Sequence, residues 1–141
     1  VEALDAAALP AGATVLVDSA PIIYVLEDHP KLAKRFLPLF ERQARGELVL
    51  AVTTISIAEV LAGPLAIGDE ALAKRYRSAL ETWQVVELTV DIAESAARLR
   101  SHWKIKLPDA VQAASALAIG ADALVTHDED FSRLTALRVL C

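Results

Sequence analysis

Short apolar runs recur along the chain with helical segments between them, and this alternation narrows the fold more than any single residue does. The runs are Thr14 to Val17, Leu48 to Thr53, Val85 to Leu88, Ala123 to Thr126 and Leu137 to Leu140. Each is short, and β-branched residues recur in them, so each reads as a buried strand. Strands separated by helices are joined by crossovers, the connection that parallel neighbours require. The expected architecture is therefore α/β, a central parallel sheet with helices on both faces.

The intervening segments carry helix punctuation. Pro21 stands near the first position of a helix that Ser19 or Ala20 can cap. Pro30 to Ala44 repeats apolar residues at Leu32, Phe36, Leu39 and Phe40, with Pro38 expected to kink the helix and Gly46 to end it. A short helix over Ser56 to Leu61 is expected to stop at Gly63-Pro64. Longer helices are expected over Asp69 to Thr82, Asp91 to Trp103 and Pro108 to Ala118, the last closed by Gly120. Asp130 to Leu134 reads as one short helical turn. Residues 1–12 are expected to be a disordered N-terminal extension and 13–141 one domain, because 141 residues suit a single core and no repeat, low-complexity tract or linker divides them.

Apolar residues make up 55% of the chain, which excludes a disordered class, and much of that share is alanine, which suits closely packed helices. The net charge of −5 excludes a protein that grips nucleic acid by bulk positive charge. A polyanion would have to be met by a local basic rim or by bound cations. Cys141 is the single cysteine, so no intrachain disulfide forms and no Cys/His zinc site is available. With no apolar run near the roughly 18 residues of a spanning helix, and no basic stretch of the signal-peptide kind at the start, a cytoplasmic location away from membranes is expected.

Acids stand at the ends of these elements. Asp18 follows the first strand, Glu59 lies early in the helix after the second, Asp109 opens the helix after Pro108, and Asp128 follows the fourth strand. Each has a local explanation. Asp18 is a favoured helix N-cap, and Ser56-Ile57-Ala58-Glu59 matches a capping box. Asp109 suits the positive end of a helix dipole, while Asp128 and Asp130 suit an exposed turn. Together they have another meaning, because ligands of open α/β sheets bind beyond the carboxyl ends of the strands. Ionised carboxylates gathered there repel unless they protonate or a cation holds them. An all-oxygen set without His or Cys suits Mg2+ or Mn2+. Such an ion polarises a phosphate and lowers the pKa of a bound water, the requirements of phosphodiester hydrolysis.

At these residues the sequence resembles the PIN-domain ribonucleases found as VapC-type toxins in bacterial toxin–antitoxin pairs. The pieces that carry the resemblance are Val17-Asp18-Ser19 with the Ile22-Ile23-Tyr24 helix, Ile57-Ala58-Glu59-Val60, Pro108-Asp109-Ala110 leading into Gln112-Ala113-Ala114-Ser115-Ala116-Leu117, and Thr126-His127-Asp128-Glu129-Asp130-Phe131 after Leu124-Val125. The resemblance implies a sheet of about five parallel strands. It implies that Asp18, Glu59, Asp109 and Asp128 form a catalytic metal site, with Ser19 and Thr126 lining it and Asp130 assisting or replacing Asp128. It further implies a metal-dependent endoribonuclease that leaves a 3′-hydroxyl and a 5′-phosphate, an RNA substrate, a protein antitoxin as partner, and a homodimer. The chain departs from many relatives at Ala20, where they carry Asn or Ser, and at His127, where they carry Asn.

Other residues allow two readings each. Arg98, Arg100, Lys104 and Lys106 form either a rim that steers RNA phosphates or a solvated helix face. His127 is a general base or, as expected here, an exposed turn residue. Trp83 and Trp103 stack bases or, as expected here, pack in the core. Two functions compete with the nuclease: an inactive PIN-like module that binds RNA or protein, and a phosphatase or phosphotransfer domain with Asp18 as nucleophile.

Overall fold

The computed structural model describes residues 2–141, Ser132 by its backbone alone. Its strands are β1 (Thr14–Val17), β2 (Val49–Thr53), β3 (Gln84–Val86), β4 (Ala123–Val125) and β5 (Val139–Leu140). They form one parallel sheet in the order β3-β2-β1-β4-β5. The helices are α1 (Ser19–Leu26), α2 (Ala33–Ala44), α3 (Thr54–Ala66), α4 (Glu70–Glu81), α5 (Val90–Trp103) and α6 (Leu107–Ala118). Short 3-10 turns span Ala6–Ala8 and Glu129–Arg133. Among the described residues no helix is long and apolar enough to cross a membrane.

Alternate residues of each strand feed separate cores. Val15, Val17, Leu50, Val52 and Val125 pack on one face with Ile22, Phe36, Leu39, Val60 and Leu80 of α1 to α4. Leu16, Ala51, Leu124 and Val139 pack on the other with Ile92 and Ala96 of α5 and the buried stripe of α6. The first core is filled by bulky groups, each fully buried Leu or Phe contributing about 2 kcal/mol. The second is built on Ala110, Ala113, Ala114 and Ala116, all at most 1% exposed, so that α6 lies close over β1 and β4.

Helix ends follow local chemistry. At the end of α6, Gly120 takes a left-handed φ of +62°, and the Ala121 N–H donates back to the Ala116 carbonyl at 2.9 Å. At the end of α2, Gly46 at φ +74° lets the Glu47 N–H reach the Arg42 carbonyl at 2.9 Å in the same closing motif.

Three expectations need correction. The segment expected as a disordered extension is tied down over residues 2–12. Glu2 bridges Leu140 in parallel, and Arg42 Nη1 donates to the carbonyls of Ala6 and Leu9, each at 2.6 Å. The second helix starts at Ala33 rather than Pro30, and it continues through Pro38. The short helix at Ser56–Leu61 is α3, which begins two residues earlier and runs past Gly63-Pro64. Thr53 is its cap, accepting from the Ser56 N–H at 3.1 Å. Pro64 lies in the last turn, where it forfeits one backbone bond while its ring is buried.

Candidate functional site

β1 lies between β2 and β4, so the chain winds outward in one direction through β2 and β3 and in the other through β4 and β5. The switch falls at the carboxyl ends of β1 and β4, the place where open α/β sheets bind ligands. Asp18 and Thr126 sit there. The Asp18 N–H extends the ladder to the Val125 carbonyl at 2.8 Å. α1, α3 and α6 all begin at this rim, so their partly positive amino ends gather around it.

Asp18 accepts at both carboxylate oxygens. Oδ1 takes the Ser19 N–H at 2.8 Å and Gln112 Nε2 at 2.8 Å; Oδ2 takes the Thr126 hydroxyl at 2.9 Å. The local reading of Asp18 as a helix cap therefore holds, alongside contacts that span the chain. Thr126 Oγ1 accepts from the Asp128 N–H at 3.0 Å, and Asp128 Oδ1 from the Asp130 N–H at 2.8 Å, which curls the chain after β4 back toward the rim.

Asp109 enters this cluster from the first turn of α6. One carboxylate oxygen from each of Asp109, Asp128 and Asp130 lies within 4.8 Å of the others. Asp109 is half-buried, and its pKa is pushed up to about 6, first by desolvation and then by the charges of Asp128 and Asp18; Lys106 opposes the rise and Asp130 adds to it. Its Oδ2 is the one buried side-chain oxygen or nitrogen among the described residues that finds no hydrogen-bond partner. Glu59 is also raised above the usual carboxylate range, by desolvation and then by Asp18, with the Ser19 side chain pulling it back. Among the described residues none of these acids forms an ion pair with Lys, Arg or His. An orphaned carboxylate oxygen in an oxygen-only, net-negative cluster fits a hard divalent cation such as Mg2+ or Mn2+.

The sequence candidates divide accordingly. Asp109 and Asp128 meet as expected, and Asp130, expected only to assist, stands in the same tight group. Asp18 acts on Asp109 and on Glu59 through its charge, but neither Asp18 nor Glu59 belongs to that group. Ser19 is buried beside Asp18, and Thr126 is fully buried with its hydroxyl on Asp18. The capping box expected at Ser56 and Glu59 does not form, because Thr53 takes the cap position and the Ser56 hydroxyl turns to Gln112.

His127 is not the exposed turn residue expected. It is half-buried, its Nδ1 lies 2.9 Å from the Tyr24 hydroxyl, and its ring packs edge-on against Tyr24 and Phe36. Arg98, Arg100, Lys104 and Lys106 are all exposed. Arg98 pairs with Glu94 at 3.1 Å, whereas Lys106 immediately precedes α6, makes no side-chain cap, and acts on Asp109 through its charge. Trp83 packs against Phe40 with ring centres 5.5 Å apart, and Trp103 packs against the second core. Sequence reasoning missed Gln112, Thr53 and Ser56 as site residues. The available signal was an amide on an alanine face, one turn beyond Asp109.

A family model described as PIN domain matches residues 15–137. Solved structures similar to the chain include a toxin–antitoxin complex from Klebsiella pneumoniae, 26% identical, with TM-score 0.71 over 90% of this chain and 96% of that one. VapBC2 from Rickettsia felis, bound to a DNA fragment from its promoter, is 20% identical, with TM-score 0.72 over 89% of this chain and 96% of that one. The sarcin-ricin loop cleaving toxin VapC20 of Mycobacterium tuberculosis is 19% identical, with TM-score 0.65 over 86% and 95%. No curated protein sequence matches the chain.

Proposed function

The chain belongs to the PIN domain family, and on that premise we propose that it is a metal-dependent endoribonuclease, the toxin of a toxin–antitoxin pair. The observation that carries this reading is the buried Asp109 Oδ2 without a partner, inside a cluster of acids none of which, among the described residues, forms an ion pair with Lys, Arg or His. Asp109, Asp128 and Asp130, with Asp18 and Glu59 beside them, would hold Mg2+ or Mn2+. Such an ion, when bound, supplies charge neutralisation at the phosphate and a water acidic enough to attack near neutral pH.

The chain's own residues supply position. The Ser19 N–H, Gln112 and Thr126 fix the plane of the Asp18 carboxylate. Thr126 also holds the backbone N–H of Asp128, so one hydroxyl links Asp18 to the start of the Asp128 segment. Lys106, exposed next to Asp109, meets an approaching phosphate. Attack at phosphorus breaks the bond to the 3′ oxygen, which takes a proton and leaves as a 3′-hydroxyl, while the phosphate stays on the 5′ side.

An antitoxin partner is supported by the toxin–antitoxin complex from Klebsiella pneumoniae, and self-association of the free chain into a homodimer is part of the same reading. A cytoplasmic location completes it.

The test is RNA cleavage measured with Mg2+ or Mn2+, after chelation, and in Asp18→Asn. Chelation and Asp18→Asn are each expected to abolish cutting, and restored metal to recover it in the wild type alone. Cleavage that survives chelation would refute the reading. RNA bound but never cut, at any divalent-ion concentration, would identify an inactive binding module. A flatter salt dependence of RNA binding in Arg100→Ala would assign the basic residues to the RNA path; an unchanged slope would assign them to solvent.

A further inference from the structure

Gln112 lies on α6 three residues beyond Asp109, one turn along the same face. It is 1% exposed among Ala110, Ala113 and Ala114. Burying an amide without partners is costly, so an amide in this alanine stripe requires an explanation. Its bonds give one. Oε1 accepts from the Thr53 hydroxyl at 2.8 Å, and Nε2 donates to Ser56 Oγ at 2.5 Å and to Asp18 Oδ1 at 2.8 Å.

This network admits one orientation of the amide. Thr53 Oγ1 accepts from the Ser56 N–H, and its own hydrogen goes to Gln112 Oε1. Turned over, the amide would set Oε1 against the Asp18 carboxylate. One side chain therefore joins the end of β1 with Asp18, the end of β2 with Thr53, the first turn of α3, and α6 with Asp109. Glu59 stands one turn beyond Ser56 on α3. Removing the amide frees these segments to shift relative to one another.

We propose that Gln112 is a positioning residue that sets the separation and orientation of the rim acids, and thereby how tightly they hold a divalent cation. This rests on the metal-dependent reading above. Gln112 acts through Asp18 and through the helix starts that carry Glu59 and Asp109.

The experiment titrates Mn2+ against wild type, Gln112→Met and Thr53→Val, following the rise in Tm, with RNA cleavage kinetics in parallel. Gln112→Met keeps the volume and removes every bond. Thr53→Val keeps the amide and removes the group that orients it. Both variants are expected to need about 10–100-fold more Mn2+ for half the rise, with kcat lowered and KM for RNA unchanged. The double variant is expected to lose less than the sum of the two. A purely structural role would lower the metal-free Tm and leave the Mn2+ midpoint at the wild-type value; that result overturns the proposal. Thr53→Val decides the matter if Gln112→Met does not fold. If the wild type shows neither a Mn2+ response nor cleavage, the nuclease reading falls and this inference with it. A wild-type response with unshifted variants overturns the inference alone.

Discussion

The two rims of the sheet treat their acids in opposite ways. At the amino rim, Glu47 is held by Arg42 at 2.9 Å and Arg45 at 2.8 Å, and these arginines draw its pKa down to about 2. Glu2 pairs with Arg138 at 3.0 Å, and Asp122 takes the N–H of Thr14 at 2.8 Å. At the carboxyl rim, Asp109 is driven up to about 6, and its neighbours Asp18, Asp128 and Asp130 are acids too. The first rim is electrically closed by its own side chains. The second is left short of positive charge, which is what a site for an external cation requires.

Asp109→Asn tests the contrast most severely. Loss of a partner that merely orients a metal ligand costs about 10–100-fold, so losing this oxygen is expected to cost at least roughly 100-fold in RNA cleavage. The same variant relieves repulsion, so its metal-free Tm is expected to rise. A fall in metal-free Tm would mean that Asp109 is a structural acid like those of the opposite rim.

The pH dependence of metal-free stability comes next in size. The folded protein holds the Asp109 proton up to about 6, whereas the unfolded chain releases it near 3.8. Its contribution is therefore fully present below that lower value and is lost as pH rises through about 6. A shift of this size corresponds to at most about 3 kcal/mol, and solvent screening at a half-exposed carboxyl reduces it to ~1 kcal/mol. Metal-free Tm is expected to fall between pH 4 and pH 7, and saturating Mg2+ or Mn2+ to reverse the fall. A flat profile in the wild type would remove the electrostatic basis of the site.

The smallest effect belongs to Glu47→Gln. Glu47 has a depressed pKa, so its contribution is present above the usual carboxylate range and is lost as pH falls toward about 2. The variant is expected to cleave RNA at the wild-type rate and to differ in Tm above pH 5 only slightly, with the difference vanishing in acid. A cleavage defect would show that the two rims are coupled.

Much of this was legible in the sequence, and the rest was hidden for identifiable reasons. β1 and β4 were readable because Val15 to Val17 and Ala123 to Val125 are buried on both faces, which leaves a continuous apolar run. Asp18, Asp109 and Asp128 were readable because each stands at an element boundary. Glu59 was read partly through a capping box, and the pattern misled because Ser56 has a better partner in Gln112, which is 56 residues away. Gln112 itself looked like one polar residue in an alanine helix; Thr53 and Asp18, which give it purpose, stand at the carboxyl ends of two strands, β2 and β1. His127 was misread for the same reason, since Tyr24 and Phe36 reach it from helices far back in the chain. Local pattern located the acids. It did not show the hydrogen bonds between elements that orient them.

The backbone of residues 2–4 runs alongside β5, with Glu2 donating to the Val139 carbonyl and Leu4 to that of Cys141, and Cys141 donating to the Glu2 carbonyl. That short segment works as a cover strip. It occupies donors and acceptors that would otherwise offer a template to a foreign strand. Trimming the chain back to Ala6 would uncover β5 and create a second sticky border besides β3, so shortened versions of this protein would trade solubility for convenience.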